Sequence, residues 1–384
     1  MGMRSGEGAP PMLRLAAGVQ AHCLDGLYPG RQPEQGGRTF ARAHTHSLAS
    51  FRGSVNLSSV RALLIINPRA TSMTGRDAGL VVRELGSRLE LETAQTRYRG
   101  HAGELAAASA AQGFDLVVTF GGDGTVNEVV NGLMRARVPD YSGPPCDPIV
   151  PAAPGTSRLP AIAPIPGGGA NVFARTLGLP PDPAEAVRQI LDAVGSGARR
   201  TIGLGLAAGR YFTFSAGLGV DAEVVADVER LRARGRQAST MLYLRTALRR
   251  YYARTDRRRP ALTLLTPGEP AMTGLFMGVV TNSSPWTYLG SHPVRPAPHT
   301  DLNSGLDLFA LRRLRTLTTL AALGRMMQTT QELPSGRDVV SAAALTELTF
   351  QAERPIAFHI DGEYLGETES VAFRFVPDAL CVLA

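Results

Sequence analysis

The chain has 384 residues, 44% of them hydrophobic, which is enough material for two packed domains. Its three cysteines are widely spaced and fit neither a disulfide framework nor a metal-ligand pattern, and no apolar run reaches the ~20 residues needed to cross a bilayer. The net charge is +7 and all 40 basic residues are arginine, so a lysine-dependent phosphate loop is excluded, while contact with anionic headgroups, phosphorylated substrates or nucleic acid is not.

Residues 1–59 are rich in Gly, Pro, Arg, His and Ser without periodicity and read as a disordered extension, with no apolar core of the kind a signal peptide has. Order is expected from Val60 to Ile66, a strand that ends at Asn67-Pro68. An amphipathic helix over 76–91 carries Leu80, Val81, Leu85 and Leu89. A short strand at 91–96 and an alanine-rich helix at 101–112 lead to the central stretch, 115–131. There a buried-type strand, Leu116 to Phe120, meets Gly121, Gly122, Asp123 and Gly124, and a helix follows with Val126, Val129, Val130, Leu133 and Met134 on one face. Thr125 and Glu128 have capping-box spacing. Backbone N–H groups at such a helix start suit a phosphate, and Asp123 among them suits a magnesium ion or a hydroxyl that needs orienting.

Residues 135–160 hold seven prolines and read as a long loop. A strand at 161–165 runs into Pro166-Gly-Gly-Gly-Ala-Asn171, then a short helix at 172–177. Asp182, Pro183 and Glu185 supply a cap, a first-turn proline and a first-turn acid for a helix reaching about Val194. This alternation defines an α/β layer domain over 60–195. Beyond it the pattern becomes antiparallel, with strand-like pieces at 201–206, 211–214, 261–265, 274–281 and 306–310 around one long helical region, 221–253. Asp361-Gly362 between two strand-like runs signals a hairpin.

Four blocks, in this order and spacing, resemble the diacylglycerol kinase catalytic domain of bacterial soluble lipid kinases, a group related to sphingosine and ceramide kinases. They are Asn67-Pro68, Gly121-Gly-Asp-Gly-Thr-Val-Asn-Glu128, Pro166-Gly-Gly-Gly-Ala-Asn171 and Asp361-Gly-Glu363. Asn282 to Gly290 looks like the segment such proteins carry near their lipid cleft. The resemblance implies an N-terminal three-layer α/β nucleotide-binding domain and a mainly antiparallel β-sandwich over 196–365, with the active site between them and 366–384 returning to the first domain. It further implies ATP and Mg²⁺ as cofactors and a lipid with a free hydroxyl as acceptor, diacylglycerol first.

Carried across residue by residue, Asn67, Pro68, Gly121, Gly122, Gly124, Thr125, Asn127, Glu128, Gly167, Gly168, Gly169 and Asn171 would hold the nucleotide. Asp123 would be the central acid near magnesium, Glu363 the general base and Asp361 its neighbour. Two departures stand out. Gly169 replaces a Thr or Ser that usually offers a hydroxyl, and Ser304 replaces an Asp near Asp301 and Asp307, which would form an accessory metal site. Seven arginines from Arg245 to Arg259, interleaved with tyrosines, offer a surface for an anionic membrane. No nucleic-acid module accompanies the charge. The expected setting is cytoplasmic, at the inner face of the membrane, with a homodimer left open. An NAD kinase-like enzyme, which would share Gly-Gly-Asp-Gly, and a catalytically weak nucleotide- or lipid-binding regulator are the alternatives.

Overall fold

The computed structural model describes residues 57–137, 159–235, 240–253, 258–290, 292–298, 300–328 and 333–383. The extension up to residue 56, the proline-rich stretch 138–158, and Arg254 and Arg257 of the arginine cluster lie outside the described residues.

The first half alternates β1 (Arg61–Ile66), α1 (Gly75–Gly86), β2 (Glu90–Gln95), α2 (His101–Ala111), β3 (Leu116–Gly121), α3 (Asp123–Ala136), β4 (Ala161–Pro166), α4 (Val172–Thr176) and α5 (Pro183–Ser196). The strands form a parallel sheet in the order β2-β1-β3-β4. Every residue of β3 and β4 is buried, so both faces of this sheet are covered, with α1 packed on α5 and α2 packed on α3. The cap expected before α5 is present: the Asp182 carboxylate accepts from the Glu185 N–H at 2.9 Å, and Gly197 closes the other end in the left-handed conformation. Helix α1 is shorter than the sequence suggested. Thr74 and Asp77 form its capping box, and it ends at Gly86 because Leu89 belongs to the approach to β2.

Two glycines fix the distance between α2 and α3. A Cβ on Gly132 would lie 2.1 Å from the Gly103 carbonyl oxygen, and one on Gly103 would lie 2.9 Å from the Glu128 carbonyl oxygen. The helices therefore cross with backbone against backbone. This fixes how closely α3 lies against α2.

The second half comprises β5 (Arg200–Ala207), β6 (Arg210–Phe212), β7 (Ser215–Gly219), α6 (Val220–Ala233), α7 (Thr240–Ala253), β8 (Leu262–Leu265), β9 (Met272–Leu275), β10 (Met277–Thr281), β11 (Thr287–Leu289), β12 (His292–Val294), β13 (Leu306–Leu311), α8 (Thr316–Met326), β14 (Val339–Leu345), β15 (Glu347–Ile360) and β16 (Glu363–Val382). The long helical region is thus two separate helices, α6 and α7, that pack on each other. The strands are antiparallel and send their inner side chains into one sandwich core. Phe373 sits at its centre, with Phe212, Phe350 and Phe358 meeting it edge-on at 6.2–6.3 Å between centroids. The long strand β16 leaves this core, and its end pairs with β4 through Val382 and Ile162. One 14-stranded sheet therefore runs through both halves.

The glycine crossing gives a stability test. Alanine favours a helix over glycine by about 1 kcal/mol, so Gly132→Ala would stabilise an unconstrained α3. Here the added methyl must push two backbones apart, and urea unfolding is expected to show a net loss of about 2–3 kcal/mol.

Candidate active site

Two glycine turns pack directly on one another at the C-terminal edge of the parallel sheet, where α/β sheets of this kind bind their ligands. The Gly167 N–H donates to the Gly121 carbonyl at 2.9 Å, and a Cβ on Gly168 would fall 2.6 Å from the Gly122 Cα. Gly121 is equally constrained, since a Cβ there would lie 2.7 Å from the Thr125 hydroxyl. These glycines hold the loops together as well as baring backbone to a ligand. Asn171, at φ 50°, closes the second turn: its Oδ1 accepts from the Gly168 N–H at 2.8 Å and its Nδ2 donates to the Gly168 carbonyl at 2.7 Å. The Gly168 amide is thereby already used within the loop.

The loop after β1 ties into the same assembly. Asn67 Nδ2 donates to Thr125 Oγ1 at 2.9 Å, its Oδ1 accepts from the Arg69 N–H, and Ser72 bonds the carbonyls of Gly167 and Gly168. Thr125 is therefore not the cap of α3. That helix begins at Asp123 with Gly122 as its cap, and the capping-box reading of Thr125 and Glu128 is corrected. Glu128 instead accepts from the Ala102 N–H in the first turn of α2.

Asp123 projects from the first position of α3 toward the start of α4, where its Oδ1 accepts from the Phe173 N–H at 3.1 Å. Burial pushes its carboxyl up to about 6; the N–H groups of Val172, Phe173 and Asn171 work against that rise, and the negative charge of Asp361 adds to it.

Asp361 is the first residue of the two-residue turn between β15 and β16, at φ 45°, with Gly362 at φ 73°. Its buried carboxylate accepts five hydrogen bonds: from Asn127 Nδ2, the Thr213 N–H and Thr213 hydroxyl at 2.8 Å each, and the Phe214 and Ser215 N–H groups at 3.0 Å. This carboxylate is saturated, so its work is structural. Asn127 is corrected in the same way: it is buried, donates to Asp361 and to the Tyr211 carbonyl, and accepts from Arg210. It joins α3 to the second domain and does not face a nucleotide.

Glu363 follows the turn and is gripped by Arg210 from β6 and by Arg99 from the loop before α2. Burial alone would raise its carboxyl, but Arg210 and then Arg99 outweigh that and hold it below the ordinary carboxylate range.

These groups line one cleft of about 1460 Å³. Asn67, Pro68, Gly122, Asp123, Gly124, Thr125, Glu128, Gly168, Gly169, Asp361 and Glu363 all reach its wall, whereas Gly121, Gly167, Asn127 and Asn171 support it from behind. The far end of the same cleft is apolar, walled by Val220, Met277, Trp286, Phe309, Leu323 and Met326 over a small separate core.

The accessory metal pair is not brought together. Asp307 is buried, accepting from the Thr300 hydroxyl and the Ala344 N–H, while Asp301 lies exposed in a turn closed by Ser304. Among the described residues no group of three or more His, Cys, Asp or Glu is placed to hold a metal ion. The arginine patch is also narrower than expected, because Arg250 turns inward to Glu223 and Asp227. Arg99, Arg210 and Thr213 were missed in the sequence, since no local signal marks a residue whose partner lies 83–264 positions away.

An α/β nucleotide-type domain, a β-sandwich and a shared cleft with a carboxylate at a glycine turn define a two-domain phosphotransferase fold. Residues 61–201 match the diacylglycerol kinase catalytic domain, and this match together with the relatives the chain resembles indicates a lipid kinase of that type. It is 27% identical over 330 residues to the "probable lipid kinase YegS-like" of Chromohalobacter salexigens, covering 84% of this chain and 92% of that one. A stretch of 139 residues is 37% identical to the diacylglycerol kinase of Bacillus subtilis, covering 36% of this chain and 38% of that protein. The fold is similar to a crystal structure of a diacylglycerol kinase from Bacillus anthracis, with a TM-score of 0.60 at 21% identity, over 84% of this chain and 96% of that one.

Asp123 makes a pH-dependent test possible. Its folded value, about 6, lies above the ordinary 3.8. The stability it contributes is therefore full below about pH 4 and lost as pH rises through about 6. Asp123→Asn stays neutral throughout. Without ligands it is expected to be more stable than wild type at pH 8, by about 3 kcal/mol, with the gap closing toward pH 4 in a pH series of thermal scans.

Proposed function

We propose that this protein transfers the γ-phosphoryl group of ATP to the hydroxyl of a lipid, with diacylglycerol, giving phosphatidic acid, as the first acceptor to test. The observation that carries this reading is the division of the single cleft. One end offers packed glycine turns and Asp123, and the other offers an apolar pocket large enough for acyl chains. An NAD kinase has no use for that second end.

Phosphoryl transfer asks a protein mainly for position and charge. The glycine turns give the triphosphate close backbone contact, and Arg69, Arg97 and Arg99 at the cleft wall supply cations that a lysine supplies elsewhere. Among the described residues Asp123 belongs to no group of three or more His, Cys, Asp or Glu placed to hold a metal, which fits an Mg²⁺ that would be held by Asp123 only together with the nucleotide's phosphates. The ion, when bound with ATP, would neutralise charge on the β- and γ-oxygens. Glu363 faces the cleft as an ionised carboxylate. It orients the acceptor hydroxyl and takes its proton as the bond from that oxygen to the γ-phosphorus forms and the bond to the departing ADP oxygen breaks, with Arg99, its partner at the cleft wall, beside the arriving phosphate.

Access from a bilayer is the remaining requirement. None of the described helices is long and apolar enough to cross a membrane. At the cleft mouth, Leu248 and Tyr252 of α7 and Leu320 of α8 are exposed, Leu317 of α8 is 82% exposed, and neither helix contains an acidic residue. With Arg245 and Arg249 also exposed, this rim suits peripheral contact with an anionic membrane.

Label transfer from γ-labelled ATP to lipids in mixed micelles tests the reading. Magnesium-dependent labelling is expected, reduced at least a hundredfold in Asp123→Asn and in Glu363→Gln, by the size of lost electrostatic and acid–base contributions. Label appearing in NADP, or in no lipid from folded protein, would contradict it.

A further inference from the structure

The cleft holds a second acidic feature that the phosphoryl-transfer reading does not use. Asp221, in the first turn of α6, and His359, two residues before Asp361 on β15, both reach the cleft wall. His359 Nε2 and Asp221 Oδ2 are 2.6 Å apart, with the imidazole 2% and the carboxylate side chain 11% exposed. With Asp221 ionised, Nε2 carries the proton and donates it to the carboxylate. The other ring nitrogen, Nδ1, is buried and has no partner among the described residues.

The chain makes room for this pair. His359 lies opposite Gly217 in the β15–β7 ladder, and a Cβ at 217 would fall 2.2 Å from Asp221 Oδ2 and 2.6 Å from His359 Nε2. Three elements thus converge on one fixed carboxylate. Its neighbours on α6, Val220, Val224 and Val225, belong to the apolar wall, while the strand that carries His359 leads directly to Asp361 and Glu363. Asp221 therefore stands at the seam where the acceptor's head gives way to its chains.

Its neighbours in the cleft are otherwise engaged. Glu363 is held by two arginines, Asp361 by five donors, Glu229 by the Tyr364 N–H and Glu128 by α2. Among the described residues, His359 is the side-chain partner of Asp221, and it meets one of its two oxygens. An ionised carboxylate only accepts hydrogen bonds, so the ligand that satisfies it must bring a donor.

Resting on the lipid-kinase reading, we propose that Asp221, held in place by His359, recognises the acceptor's head and selects lipids that carry a second hydrogen-bond donor beside the reacting hydroxyl. A diacylglycerol has no such group. Its one hydroxyl is the one phosphorylated, and its ester oxygens can only accept, so they would face the carboxylate unfavourably. A monoacylglycerol offers a further hydroxyl, and a long-chain N-acyl amino alcohol offers an N–H and a hydroxyl. His359 is a positioning residue in this account, and Asp221 is the group that touches the substrate.

Binding can be read without turnover, because Trp286 is the single tryptophan of the chain and lies in the apolar wall of the cleft. Its fluorescence would be titrated with monoacylglycerol, a long-chain N-acyl amino alcohol and diacylglycerol of equal chain length in neutral mixed micelles, alongside label transfer to each. The wild type is expected to bind at least one of the two donor-bearing lipids about tenfold more tightly than diacylglycerol, the size of one hydrogen bond to a charged group. Which of the two binds identifies the donor. Asp221→Ala should abolish the difference with the affinity for ATP unchanged. His359→Gln, which can still donate toward Asp221, should keep part of it, and Gly217→Ala should remove it by displacing the pair. No preference in the wild type, or a preference that persists in folded Asp221→Ala, would overturn the proposal. Equal loss of all three lipids in that variant would do so too, marking Asp221 as structural. Selective binding without any phosphorylation would uphold it while contradicting the kinase reading.

Discussion

A buried carboxylate with five hydrogen bonds holds the working parts of this molecule in register. Asp361 would be costly inside the protein without partners, since a buried charge left unpaired costs several kcal/mol. Its donors come from the start of α3 through Asn127 and from the backbone of residues 213–215, so satisfying it forces three elements to meet. The consequence reaches both sides. Asn127 lies four residues beyond Asp123 on the same helix, and Glu363 lies two residues beyond Asp361 across the hairpin turn. Fixing the Asn127–Asp361 contact therefore fixes how the acid of one domain faces the acid of the other. Arg210 reinforces the arrangement by bonding Asn127 and Glu363 with one guanidinium.

The second constraint is steric. Backbone meets backbone where the two glycine turns touch and again where α2 crosses α3. Together these contacts place the N-terminus of α3, and hence Asp123, against α4. Side chains at those points would move the acid away from the cleft. The same logic recurs at Gly217, which leaves space for Asp221 and His359. Glycine in this chain thus acts at least as much by admitting neighbours as by freeing the backbone.

What could be read from the sequence follows from how local each signal is. The parallel α/β half was legible because its strands are buried runs and α5 has its cap, proline and acid within four residues. The glycine blocks and the Asp361-Gly362 turn were legible for the same reason. The roles of Asn127 and Asp361 were not. Each sits inside a block that looks like a ligand site, and only tertiary contact reveals that their polar atoms are consumed by one another and by β6 and β7. Arg99 and Arg210 carry no local mark, because one arginine among 40 is not distinguishable until its partner is placed beside it. The pair of Asp301 and Asp307 failed in the opposite sense: proximity in sequence suggested a shared ion, but one side chain folds inward to Thr300 and the other faces solvent.

The coupling between Asn127 and Asp361 is the most direct point at which to test this account. A double-mutant cycle with Asn127→Ala and Asp361→Asn, read by urea unfolding, would measure it. Strong non-additivity is expected, an interaction of about 1–3 kcal/mol, because each side chain loses a buried hydrogen-bond partner when the other is changed. Strictly additive losses would mean that the buried carboxylate does not join the two domains, and that the alignment of Asp123 with Glu363 is set elsewhere.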